Sequence, residues 1–283
     1  PYNKALLSSL GADNASESNP VDITSLIINP KFEEGTKGWD GEITVDTIQD
    51  IAERWNCDFN VSQTINSLPA GCYQIQAQIF YRDGGDATTA YNNWYYTAGE
   101  SMEFWENPNV LFYANERDTT VVSIASEIFT DQMTQYISSW KEADEYEGDA
   151  VVYEPVWVYQ ADAAEDAKNN HPWDQIVDDL GEIYYYPNSV QGSAHRFAKN
   201  PEAYINKIEV MVEEGGSLTF GIKNTAFIGN HWCVFDNFKL YYLGTEAPTA
   251  MEEVAGAADE DAPMYNTAGQ IVDESYKGIV IKN

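Results

Sequence analysis

The stretch Cys72–Tyr81, CYQIQAQIFY, constrains the fold more than any other part of the chain because it keeps a period of two throughout. Tyr73, Ile75, Ala77 and Ile79 alternate with Gln74, Gln76, Gln78 and Phe80. A helix would scatter both sets around its circumference, whereas a strand puts them on opposite faces, so the segment predicts a half-buried antiparallel strand. VSQTI (Val61–Ile65) and the turn LPAG (Leu68–Gly71) precede this strand. AYINKIEVMV (Ala203–Val212), the turn EEGG (Glu213–Gly216), SLTFGIKN (Ser217–Asn224) and WCVFDNFKLYYL (Trp232–Leu243) repeat the pattern at short spacing. Such a succession points to an all-β sandwich.

Helices are expected only as connectors. One lies within Pro187–Tyr204, with Asn188 or Ser189 as its N-cap, and another within Ser126–Trp140. Two insertions, about Asp83–Pro108 and Thr130–Tyr186, are longer than the loops compact domains normally use. After Gly244 the segment TEAPTAMEEVAGAADEDAP has no hydrophobic period and reads as a linker. MYNTAGQIV and GIVIKN then form a hairpin-like unit too small to fold alone. The expected organisation is an N-terminal segment (1–20), a sandwich (21–244), a linker (245–262) and a C-terminal unit (263–283).

Charge narrows the partners. The 283 residues carry 46 acids against 15 Lys and Arg, a net charge of -31, and no basic stripe offsets it locally. Such a field repels phosphate backbones and anionic membrane surfaces, so nucleic acid is not expected, whereas divalent cations are attracted. No run of about 18 apolar residues predicts a transmembrane span. The opening PYNKALLSSLGADNASESNP lacks the parts of a complete signal peptide, which leaves a trimmed export product open. Cys57, Cys72 and Cys233 have neither metal nor redox spacing; they are expected as unpaired, mostly buried thiols, with one disulfide as the alternative.

NPKFEEGTKGW near the start, VSQTINSLPAGCYQIQAQ in the middle and CVFDNFKLYYLG at the end resemble, in that order, the framework of the galactose-binding-like jelly roll, the fold of many carbohydrate-binding modules. The resemblance covers roughly Val21–Gly244. FYRDGG, LFYAN, YYPNS and SLTFGIKN, with the terminal MYNTAGQIV and GIVIKN, are similar to a branch found in secreted and surface proteins of gut and oral Gram-negative anaerobes. It implies an exported protein displayed at or beyond the cell surface.

The resemblance also implies a structural calcium at one end of the sandwich, held by the acid after the N-terminal aromatic and by an Asp just before the last apolar stretch. Carried onto this chain these are Glu33 and Asp236, with backbone carbonyls completing the shell. A hard cation there offsets repulsion between two carboxylates distant in sequence and ties the first strand to the last. The plain alternative is that Glu33 caps a turn and Asp236 takes an ordinary hydrogen bond. Glu34 is expected in solvent.

The insertions hold the candidate ligand contacts: Trp94, Tyr95 and Trp105 in the first, Trp157, Tyr159 and Trp173 in the second. An aromatic face accepts the axial hydrogens of a sugar ring while nearby amides and carboxylates bond its hydroxyls. The competing account is that these rings anchor long loops to the sandwich. Arg82, which opens the first insertion, would reach a sugar hydroxyl or pair with one of the many acids. Trp39 and Trp232 belong to the core.

Catalysis has no positive signal. So many acids guarantee apparent carboxylate pairs, so a glycosidase pair is not legible. His171, His195 and His231 lie in unrelated contexts, and no nucleophile elbow, phosphate loop or dinucleotide fingerprint is present. The expectation is a non-enzymatic, exported glycan-binding protein. The alternative is an adhesion or scaffold module that meets another surface protein.

Overall fold

The structure, a computed structural model, describes residues 2–90, 109–130, 135–142, 153–159, 173–177, 181–246, 264–266, 271–272 and 280–282. In chain order its elements are helix α1 (Tyr2–Ser9) and strands β1 (Val21–Asp22), β2 (Thr44–Asp46), β3 (Ile51–Trp55), β4 (Asn60–Leu68), β5 (Gly71–Arg82), β6 (Val110–Ala114), β7 (Arg117–Thr120), β8 (Gln135–Glu142), β9 (Tyr153–Tyr159), β10 (Trp173–Val177) and β11 (Ile183–Pro187). Helix α2 (Val190–Lys199) follows, then β12 (Ile205–Val212), β13 (Gly216–Asn224), β14 (Trp232–Tyr242), β15 (Met264–Asn266), β16 (Ile271–Val272) and β17 (Val280–Lys282).

One sheet runs β12-β5-β14-β3-β2, with β1 on the far end of β14; the facing sheet runs β4-β13-β6-β7. Every pair in both is antiparallel. Successive strands alternate between the sheets, β3 and β5 in the first, β4 and β6 in the second, then β12, β13 and β14 in turn. This is the crossing pattern of a jelly-roll β-sandwich. The alternation that predicted it is the cause of the packing: Val61, Ile65, Tyr73, Ile75, Phe220 and Leu240 point between the sheets and are buried there. The centre of this core is aromatic. Phe32 stacks on Trp39 with centroids 5.2 Å apart, and Phe238 meets Trp39 at 4.6 Å.

The strand β5 departs from the half-buried expectation. Its first half keeps Gln74 and Gln76 partly exposed, but Gln78, Phe80 and Arg82 on the outer face are buried. The reason is a second core. Ile124, Phe129, Ile176, Tyr186, Phe197 and Tyr204 from the segment between β7 and β12 cover Phe80, Trp232 and Val234 on that face. Gln78 ties this cover to the sheet, donating to the carbonyls of Phe197 (3.4 Å), Asn200 (3.1 Å) and Ala203 (3.0 Å) and accepting from Asn237 Nδ2 (2.9 Å). It thus satisfies carbonyls at the end of α2, where the helix leaves them unpaired.

The connector α2 forms as its sequence predicts, with the Ser189 hydroxyl accepting from the Gly192 N–H at 3.1 Å. Among the described residues of Ser126–Trp140 the expected helix is not present. A short 3-10 turn spans Ile124–Ser126, and Gln135–Glu142 is strand β8, paired in register with β9 from Gln135↔Tyr159 to Glu142↔Tyr153. Cross-strand pairing with YEPVWVY, rich in β-branched and aromatic residues, outweighs the weak helical preference of QYISSWKE. The second insertion is therefore not one long loop: it carries the hairpin pairs β8-β9 and β10-β11. The C-terminal unit adds a third strand to the expected hairpin, in the order β16-β15-β17. The proposed linker lies almost wholly outside the described residues. Cys72 and Cys233 are buried, Cys57 is half-buried, and all three are free thiols.

Candidate functional site

Two clusters of polar side chains lie at the sandwich surface. The first surrounds Asp236. Asn29 shapes the loop that carries Glu33: its Nδ2 donates to Gly35 O (2.7 Å), its Oδ1 accepts from Glu34 N (3.0 Å), and its carbonyl accepts from Trp39 Nε1 (3.1 Å). Phe32 is pinned in the core while its backbone holds φ 55°, in the left-handed region. That combination turns Glu33 outward. Asn29, Asp50 and Asn237 share the left-handed conformation, at φ 53°, 51° and 55°. Asn and Asp adopt that region readily, whereas a bulky residue such as Phe32 is strained in it, and local strain of this kind points to a functional constraint.

Asp236 sits at an irregularity in the β14-β5 pairing, and its Oδ1 is buried without a hydrogen-bond partner. Burial pushes its carboxyl up to about 8; the Asn237 N–H and Lys31 oppose the shift, while Asp50 and Glu33 add to it. Asp50 is itself raised, first by burial and then by Glu33 and Asp46. Among the described residues no three Asp, Glu, His or Cys side chains converge closely enough to hold a metal by themselves. The chemistry nevertheless suits a hard cation. An orphaned carboxylate oxygen and neighbouring acids supply part of an oxygen shell, and backbone carbonyls would have to complete it. Glu34, by contrast, forms an exposed ion pair with Lys37, as expected of a solvent residue.

The second cluster is a row across three strands at the other end of the first sheet, where Trp55, Trp232 and Arg82 are register neighbours on β3, β14 and β5. Strand order decides which ring is exposed. β2 pairs only Thr44–Asp46 with Glu53–Ile51, so it stops short of Trp55, and that indole is 57% exposed. Trp232 is buried against Phe80, and the Arg82 guanidinium lies over its ring at 4.9 Å. Trp232 Nε1 donates to Glu53 Oε2 at 2.6 Å, and Arg82 Nη1 donates to Asn188 Oδ1 at 2.8 Å. Burial raises the Glu53 carboxyl, countered by the Trp232 hydrogen bond, and burial lowers Arg82, countered by Asp174, Asp86 and Glu53. The row offers an open aromatic face, hydrogen-bond acceptors beside it and a buried cation behind. A second exposed ring, Phe227, packs on His231 at 5.5 Å on the neighbouring loop.

Of the ligand contacts expected from sequence, Arg82 lies in this row, 6% exposed and held by Asn188 rather than reaching into solvent. Trp94, Tyr95 and Trp105 fall outside the described residues. Trp157 and Tyr159 lie on β9 and Trp173 on β10, with only their backbone described. Trp39 and Trp232 are core residues, as expected. His231 is buried, with Nε2 2.9 Å from Cys57 O, a structural placement. Trp55 was not anticipated. Its signal is the alternation Ile51, Glu53, Trp55 in IAERW, which puts the ring on the same face as the acid. A separate concavity of about 350 Å³ lies where α1 covers the sandwich end, lined by residues that include Leu7, Asp13, Glu214 and Tyr242. Tyr242, its one aromatic, is buried and donates to Ala70 O, so it offers no open ring.

A scan against protein-family models finds no match, and neither does a search of curated proteins. Among solved structures, the carbohydrate-binding module CBM61 in complex with β-1,4-galactotriose is similar over 76% of this chain and 95% of that chain, at 13% identity and a TM-score of 0.28. A likeness at that level carries no ligand or site residue across.

Proposed function

We propose that this protein is a non-catalytic glycan-binding module, exported and displayed at the cell surface, whose sandwich spans 21–244 and carries the C-terminal unit (263–283) on the linker 245–262. The observation that carries the reading is Trp55, an open indole at a strand end with Glu53, Arg82 and Asn188 arranged around its buried neighbour Trp232. A sugar ring needs such a flat apolar surface flanked by hydroxyl partners. The insertion aromatics Trp94, Tyr95, Trp105, Trp157, Tyr159 and Trp173 are further contacts under the same proposal. No described helix is long and apolar enough to cross a membrane.

The test is affinity electrophoresis of the full chain against plant, microbial and host polysaccharides, β-1,4-galactan included. Retardation that Trp55→Ala abolishes, at an unchanged melting point, supports the proposal. Retardation that survives in Trp55→Ala but is lost in Trp94→Ala or Trp157→Ala moves the site to the insertions. A second reading, an adhesion or scaffold module, is favoured by Val177 and Ile183, exposed register partners on β10-β11, together with exposed Ile128. No retardation by any polysaccharide selects that reading.

Calcium is proposed at Glu33 and Asp236, with backbone carbonyls completing the shell. Its role is structural: when bound, a hard cation offsets the charge of these carboxylates and joins the N-terminal loop to β14. The support is the orphaned Asp236 Oδ1 and the strained backbone at Phe32, next to Glu33. The melting point with and without chelator tests it.

A further inference from the structure

We infer that the Trp55 face takes neutral glycans and excludes anionic ones, those carrying uronate, sulfate or sialate groups; the inference rests on the glycan-binding proposal. Its basis is the distribution of donors, acceptors and charges around the ring. Glu53 lies two residues before Trp55 on the same face of β3, and Asp46 adds to the negative field at Glu53. Across the row, on the same face, the cation is Arg82. It is 6% exposed, stacked on Trp232 and bonded to Asn188, with Asp174, Asp86 and Glu53 already supplying its counter-charge. Arg54 projects to the opposite face of β3, where its Nη2 meets Cys57 Sγ at 2.9 Å and Glu42 at 3.6 Å. Neither guanidinium is placed to receive a ligand anion.

The acceptors then select the ligand. A carboxylate oxygen takes a charge-assisted hydrogen bond from a sugar hydroxyl, a donor that every neutral pyranose carries. An anionic sugar carries hydroxyls too, but its uronate or sulfate oxygens have no proton to give the carboxylate, and the like charges held in contact repel. The net charge of -31 adds a longer-range barrier that slows the approach of any polyanion. A neutral chain meets neither obstacle, and the apolar contact with Trp55 is indifferent to salt.

The experiment compares neutral polysaccharides (β-1,4-galactan, galactomannan, xyloglucan) with anionic ones (polygalacturonate, alginate, heparin) by affinity electrophoresis and calorimetry, at about 20 mM and about 500 mM NaCl. Expected is binding within the neutral set, changed less than about twofold by salt and lost in Trp55→Ala, with no anionic polysaccharide bound at either concentration. An anionic polysaccharide bound tightly at low salt and released at high salt overturns the inference while leaving glycan binding intact. Failure to bind either set overturns glycan binding itself, and the inference with it.

Discussion

Replacing Asp236 with Asn should raise the stability of the cation-free protein at neutral pH and remove most of a pH dependence that the wild type shows. The carboxyl titrates at about 8 in the folded protein against a reference of 3.8. Between those values the folded state binds one proton more than the unfolded chain, so stability is greatest in acid and falls as pH rises through the window, levelling off once the folded carboxyl has ionised. Integrated to pH 7, the difference is at most about 4 kcal/mol, taking 1.36 kcal/mol per pKa unit. Relaxation and water entry around a real buried charge reduce this to about 2 kcal/mol, or roughly 5 °C in melting point for a domain of this size. The assay is thermal unfolding followed by circular dichroism, in chelator, from about pH 4 to about pH 8.5. Subtracting the variant's curve from the wild type's cancels the contribution of the other acids. Asp236→Asn should match the wild type near pH 4 and exceed it increasingly toward pH 8. Saturating calcium should stabilise the wild type most at high pH, where the carboxylate is already ionised, and leave Asp236→Asn unmoved. Parallel curves for the two proteins in chelator would refute the account of Asp236 as a carboxyl raised by burial, with one oxygen left without a partner.

Other substitutions probe separate parts of the structure. Trp55→Ala should weaken glycan binding by about 30-fold, the loss of about 2 kcal/mol typical of a central aromatic contact, with little change in melting point because the ring is exposed; calorimetry checks both halves. Gln78→Ala strands the carbonyls at the end of α2 and the Asn237 amide, and should cost about 2–4 kcal/mol in denaturant unfolding. Ser189→Ala removes the cap of α2 and should cost about 1 kcal/mol, whereas Ser189→Asp should restore it; the same unfolding assay distinguishes the pair. Phe32→Ala empties a side-chain position at the centre of the aromatic core and should cost about 3–5 kcal/mol, enough to show as a large drop in denaturant midpoint.

Local chemistry determined the framework. Period-two segments bounded by turns, Val61–Ile65, Cys72–Tyr81, Ala203–Val212 and Ser217–Asn224, became strands because a pleated chain with one apolar face has few other ways to bury it. The Ser189 cap and the start of α2 were legible for the same reason: the capping hydroxyl and the N–H it satisfies lie three residues apart. Glu33 and Asp236 are paired through family resemblance, and the structure adds that Glu33 contributes to the field at Asp236, whose Oδ1 is buried without a partner. The strain at Phe32 and the part played by Asp50 were not visible in sequence, since a backbone angle and a through-space charge have no motif.

What only the tertiary structure decided is which face each residue finally meets. Gln78 and Phe80 read as the outer side of a half-buried strand, yet a second core laid over that side buries them. Gln135–Glu142 became a strand because its partner, β9, was supplied by a later segment. Trp55 and Trp232 are similar aromatic residues at the ends of two strands; the framework motif marks Trp232 as core, but nothing local marks Trp55 as open. One is open and the other closed because β2 ends before Trp55 while the cover packs over Trp232. Alternation along a strand specifies two faces, but exposure depends on neighbours brought from elsewhere in the chain, and those are fixed only when the sheets assemble.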